Sequence, residues 1–136
     1  MIAAPLISGN DLRSMNTQTQ TILTNKEVIA VDQDMLGIQG FKSSVKDSVE
    51  TWLKPLNNGE WALCLLNRST TSKKIEMDWK TFSVTDTLSN RVLNTRGKEF
   101  YQLRDLWLKK TVGDTRKPLK ISISGHDVLC LKLFKK

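Results

Sequence analysis

Downstream of Gly40 apolar and polar positions alternate with a period of two, whereas upstream of it the spacing is nearer to that of a helix. Glu50-Thr51-Trp52-Leu53 and residues 61–66 read as strands, and Asn57-Asn58-Gly59 between them signals a hairpin, because Asn and Gly tolerate positive φ. Across residues 73–79, Ile75, Met77 and Trp79 fall on one side and Lys74, Glu76 and Asp78 on the other. Residues 100–108, 119–124 and 128–134 complete the set. In the last of these, Leu129, Leu131 and Leu133 share one face and Lys132 takes the other, as a half-buried strand requires. Short strands divided by Gly, Asn and Ser turns predict a mainly β fold, an antiparallel β-sandwich or a barrel. No internal repeat or low-complexity tract is evident.

The first forty residues are organised differently. Residues 4–7 are a short apolar run compatible with a buried parallel strand. Thr17 is placed to cap a helix, with Gln20 reaching back to complete a capping box; Asn16 is the alternative cap, without the box. Ile22, Leu23, Val28, Ile29 and Val31 follow near-helical spacing, which Asn25 interrupts into two short helices, and Gly37 and Gly40 end the helical region. Helices this short are marginal alone, so the apolar residues of 17–31 are expected to dock on the sandwich.

A chain of 136 residues, 39% hydrophobic and 26% charged, is long enough for one compact domain and is not of disordered composition. No apolar run approaches the ~20 residues of a membrane span, so no membrane partner is expected. No charged-then-apolar start with a small-residue cleavage site is visible. The formal net charge of +7 raises the possibility of nucleic-acid binding. The basic residues, however, are scattered in pairs such as Lys73-Lys74, Lys109-Lys110, Arg116-Lys117 and Lys135-Lys136, without the interleaved aromatics that stack bases; a solvated surface is the expectation.

Cys64 and Cys130 both lie in apolar strands, where a free cysteine behaves as a small hydrophobe; spacing alone leaves a bridge between them open. With one histidine and no carboxylate cluster at ligand spacing, neither a metal site nor another cofactor is expected. His126 has no nucleophile motif near it and is read as fastening the turn before the last strand. Trp52, Trp61, Trp79 and Trp107 each fall in an apparent strand with apolar neighbours, which favours core over a sugar-stacking platform. Asn67-Arg68-Ser69 fits the N-glycosylation sequon.

Several segments together carry a family resemblance. Residues 4–13 (Ala-Pro-Leu-Ile-Ser-Gly-Asn-Asp-Leu-Arg), 25–34 (Asn-Lys-Glu-Val-Ile-Ala-Val-Asp-Gln-Asp) and 36–40 resemble the last barrel strand and helix of glycoside hydrolase family 27, the α-galactosidase (melibiase) family. Residues 49–56 with 61–63 and 67–69 resemble its first sandwich strands, Arg104-Asp105-Leu106-Trp107 its R-D-L-W strand, and Gly125-His126-Asp127-Val128 its final P-H-G-V strand, with Gly125 and Asp127 departing from that pattern. Residues 80–100 carry no such likeness. The resemblance implies a division near residue 38: residues 1–38 a remnant of the last strand and helix of a (β/α)8 barrel, residues 39–136 a C-terminal antiparallel β-sandwich.

The same resemblance implies a C-terminal fragment of an enzyme that hydrolyses terminal α-galactosyl residues with retention. Its two catalytic aspartates, which need a separation of about 5–5.5 Å, fall upstream of Met1, so no catalytic residue is expected here. The partners implied are the missing catalytic barrel of the same polypeptide and, in the intact parent, an α-galactoside; the parent is expected to be secreted, periplasmic or lysosomal. Barrel chemistry sits at the C-terminal ends of strands, which leaves Ser8 and Asp11 as candidates at the barrel rim, although Asn10 and Asp11 equally suit the capping of a turn. The alternative function is a non-catalytic carbohydrate-binding or structural sandwich.

Overall fold

A computed structural model describes residues 1–97 and 100–135; Lys136, of the last basic pair, lies outside the described residues. The chain forms helices α1 (Thr17–Leu23) and α2 (Lys26–Asp32), then strands β1 (Phe41–Lys46), β2 (Val49–Pro55), β3 (Trp61–Asn67), β4 (Lys73–Met77), β5 (Ser83–Thr85), β6 (Val92–Asn94), β7 (Gln102–Asp105), β8 (Lys110–Asp114), β9 (Leu119–Ile123) and β10 (Val128–Phe134). A six-stranded antiparallel sheet in the order β1-β2-β3-β10-β7-β8 is one layer of a sandwich, and the pairs β4-β9 and β5-β6 make up the other. No helix among the described residues is long and apolar enough to cross a membrane.

Alternation builds the core. Leu53, Trp61, Leu63, Leu65, Leu103, Leu129, Leu131 and Leu133 point inward from the large sheet and meet Ile75, Met77, Ile121, Ile123, Val84 and Leu93 of the opposite layer. β3 is apolar on its outer face as well, because Ala62 and Cys64 pack under α2. Burial on both faces is what turns an alternating strand into a continuous apolar run.

The turns follow backbone chemistry. Asn58 and Gly59 take positive φ of 57° and 72° between β2 and β3, as the Asn-Asn-Gly signal requires. Gly125 is fixed by contact: a Cβ there would lie 2.3 Å from the Thr70 carbonyl oxygen. His126 fastens the same turn through its backbone, with φ 58° and its amide on the Ser69 carbonyl, while its side chain stays in solvent.

Three expectations need correction. Asn16, not Thr17, caps α1, its side chain accepting from the Thr19 amide; Thr17 is the first helical residue, so no capping box with Gln20 forms. Residues 4–7 form no strand: Ile7 is 90% exposed, and among the described residues no strand lies alongside to satisfy a parallel backbone. Only α2 docks, since α1 buries no residue and leaves Ile22 and Leu23 exposed.

Candidate functional site

The two rim candidates lie in solvent. The Ser8 hydroxyl is 3.4 Å from Asn10 Oδ1, and Asp11 Oδ1 accepts from the Arg13 amide and Nε, both at 3.0 Å. The bonds from Arg13 hold the Asp11 carboxyl below its ordinary value. Asp11 thus caps a local turn, and its partner is two residues away in sequence.

One group of interactions between distant parts of the sequence converges elsewhere, where α2 meets the outer face of the large sheet. Asn25 caps α2 with Oδ1, accepting from the Glu27 and Val28 amides at 3.1 and 3.4 Å, while its Nδ2 donates to the Leu106 carbonyl at 3.0 Å. Two residues on, Glu27 receives Nε and a terminal nitrogen of Arg104, each at 2.7 Å, in a two-pronged ion pair across 77 residues. These bonds hold the Glu27 carboxyl below, and the Arg104 guanidinium above, their ordinary values. At the other end of the helix Lys54, with 0% exposure, donates from Nζ to the Asp32 carbonyl at 3.1 Å. A cation at the C-terminal carbonyls complements the helix dipole. Burial pushes the Lys54 ammonium below the usual lysine value, opposed by Asp32 and Asp34. Between these polar ends Val31 packs on Leu56, Ala62, Cys64, Leu106 and Cys130. Asp34 Oδ1 completes the attachment by accepting from the Asn57 amide at 2.9 Å.

Sequence reasoning missed this latch as a site, although the signal was present. Asn25 and Glu27 lie in the segment resembling the last barrel helix, Lys54 and Leu56 in Trp-Leu-Lys-Pro-Leu, and Arg104 and Leu106 in Arg-Asp-Leu-Trp. By periodicity each motif reads as strand or helix packing; their polar members are contacts to one another. Asp105, the motif's remaining acid, caps the turn after β7 by accepting from the Trp107 and Leu108 amides.

The carboxylates beside this latch are engaged. A cavity of about 310 Å³ is lined in part by Glu27, Asp34, Glu60, Arg104 and Lys132, yet Glu60 pairs with Lys132 at 2.6 Å as Glu27 does with Arg104. Among the described residues no group of three or more His, Cys, Asp or Glu is placed to hold a metal ion. Trp61 and Trp79 are core, and Trp52 is half-buried, its Nε1 on Glu50 and the Lys42 ammonium over its ring. Trp107 differs from the expectation: it sits in the turn after β7 and is 40% exposed.

Comparison with known proteins places this arrangement in a family. The model of the alpha galactosidase C-terminal beta sandwich domain matches residues 46–133. The chain belongs to that family. A second model, of alpha galactosidase A, matches residues 1–34, so the α-galactosidase likeness runs through α1 and α2 as well as the sandwich. Alpha-galactosidase A of Cellvibrio japonicus is 38% identical over 132 residues, 97% of this chain and 32% of that protein. Alpha-galactosidase A of Homo sapiens is 43% identical over 68 residues, 50% of this chain and 16% of the human protein. The crystal structure of α-galactosidase I from Mortierella vinacea superposes with a TM-score of 0.79 at 26% identity, over 98% of this chain and 32% of that one. The chain therefore spans about a third or less of the length of these α-galactosidases.

Proposed function

We propose that this chain is the C-terminal part of a retaining α-galactosidase, residues 39–136 acting as a sandwich that supports a catalytic barrel and residues 1–38 corresponding by sequence to the last strand and helix of that barrel, the strand forming only beside the rest of the barrel. The observation that carries the reading is the pair of adjoining matches, alpha galactosidase A over residues 1–34 and the C-terminal sandwich over 46–133. The latch gives the support a physical form. Helix α2 belongs by sequence to the first match and is held by Glu27–Arg104, Asn25–Leu106 and Lys54–Asp32 to strands β2 and β7 and the turn after β7, all within the second. A barrel attached to α2 is thereby held at a fixed place on the large sheet.

On this reading the catalytic carboxylates belong to the portion of the relatives that the chain does not span, and the substrate is a terminal α-galactoside. The purified chain is expected to release no phenol from an aryl α-galactoside. Turnover within tenfold of an intact α-galactosidase would overturn the proposal.

The exposed ring of Trp107 favours one second reading, a sugar-binding sandwich. If that reading holds, galactose added to the chain quenches or shifts tryptophan fluorescence, and Trp107→Ala abolishes the change.

A further inference from the structure

Cys64 and Cys130 are directly opposed across β3 and β10, the two central strands of the large sheet, with their sulfurs 3.0 Å apart. Both side chains point to the outer face, beneath α2, among Val31, Leu56, Ala62 and Leu106. Two thiols in contact on directly opposed residues of paired strands are within reach of one another, which sequence spacing could not establish.

We propose that Cys64 and Cys130 form a redox-active dithiol that closes into a cross-strand disulfide by exchange with a small disulfide such as oxidised glutathione, and that helix α2 gates the reaction. The Cys64 thiolate attacks one sulfur of the oxidant, forming a mixed disulfide and releasing one glutathione thiolate. The Cys130 thiolate then attacks the Cys64 sulfur, forming the Cys64–Cys130 bond and expelling the second. Two protein thiols and one glutathione disulfide become one protein disulfide and two molecules of reduced glutathione.

The two thiols share one contact and nearly equal burial, so the same exchange runs equally from Cys130. The gate follows from access: Cys64 and Cys130 are only 9% and 7% exposed, so glutathione reaches them only when α2 lifts from the sheet. The bond closes a loop between positions 66 residues apart and ties the two central strands together.

The full chain is incubated with reduced or oxidised glutathione, then denatured, alkylated with N-ethylmaleimide and weighed. After oxidised glutathione the chain is expected to carry no maleimide and to be lighter by the two thiol hydrogens. Its Tm is expected to be higher by at least about 5 °C than that of the reduced chain. Arg104→Ala, which loosens α2, is expected to raise the closure rate several-fold, and Cys64→Ser to leave Cys130 fully alkylated. Full alkylation of both thiols after oxidation in the wild type and in Arg104→Ala alike would overturn the proposal. So would a stable mixed disulfide or a disulfide-linked dimer in place of the intramolecular bond.

Discussion

Asn67 shows how far a residue's role can depart from its local motif. It is fully buried, and its Nδ2 faces three carbonyl oxygens, of Thr71, Ser124 and Ile123, at 2.8, 3.0 and 3.1 Å. Its Oδ1 accepts from the Ser69 amide and hydroxyl. The nitrogen that a glycan would need is thus spent on tying the end of β3 to the end of β9. Asn67→Ala strands these buried acceptors, and is expected to cost on the order of 2–4 kcal/mol in denaturant unfolding. A change below about 0.5 kcal/mol, the scatter of surface substitutions, would show that the bonds contribute nothing. Chain secreted from a eukaryotic host is expected to carry the bare polypeptide mass. The sequon was legible in three letters; its burial was not, because two of the three carbonyls that consume the amide, those of Ile123 and Ser124, lie more than fifty residues away.

At the scale of elements, the two short helices differ in what they gain by docking. Neither would persist alone in water. Seating Val31 and part of Val28 on the sheet contributes on the order of 2–4 kcal/mol to α2, and Asn25, Arg104 and Lys54 fix its ends. The Glu27–Arg104 pair makes this attachment pH-dependent. Hydrogen bonds from Arg104 lower the folded-state value of Glu27 below its ordinary 4.5, so the pair's stabilisation is fully present above that pH and is lost as pH falls through the lower, folded value. The unfolding midpoint of the wild type is therefore expected to drop more between pH 5 and about pH 3 than that of Glu27→Gln. Parallel pH profiles for the two proteins would contradict this. The central strands and the break between the helices at Asn25 were legible from periodicity and capping chemistry. β1 and β8 were not: both lie at sheet edges and expose nearly every residue, so no buried face imprints alternation on their sequences. The tight turn at Asp47 and Ser48, with φ of 50° and 67°, was hidden for a related reason, since a pair without Gly or Asn carries little turn signal.

For the whole molecule, protection is expected to follow the layers. Amides at 62–66 and 129–133, in strands flanked by strands on both sides, are expected to exchange slowest, and those at 2–9 fastest. Slow exchange over residues 2–9 in a monomer would mean that the opening segment finds a partner on the sandwich itself. The sandwich was legible because one period of two runs through the core strands. The latch was visible only as motifs, since nothing in a linear sequence pairs Glu27 with Arg104 or Lys54 with the end of α2. The placement of β10 has a consequence for synthesis. β10 is synthesised after the other strands of the large sheet, yet it lies in the middle of that sheet, between β3 and β7. Until it arrives, β1-β2-β3 and β7-β8 are two separate ribbons, each with an open edge and an uncovered apolar face. A premature stop codon between the end of β8 and position 128 would therefore do more than shorten the product: it would leave the facing edges of β3 and β7 open in every copy, ready to pair with the next chain.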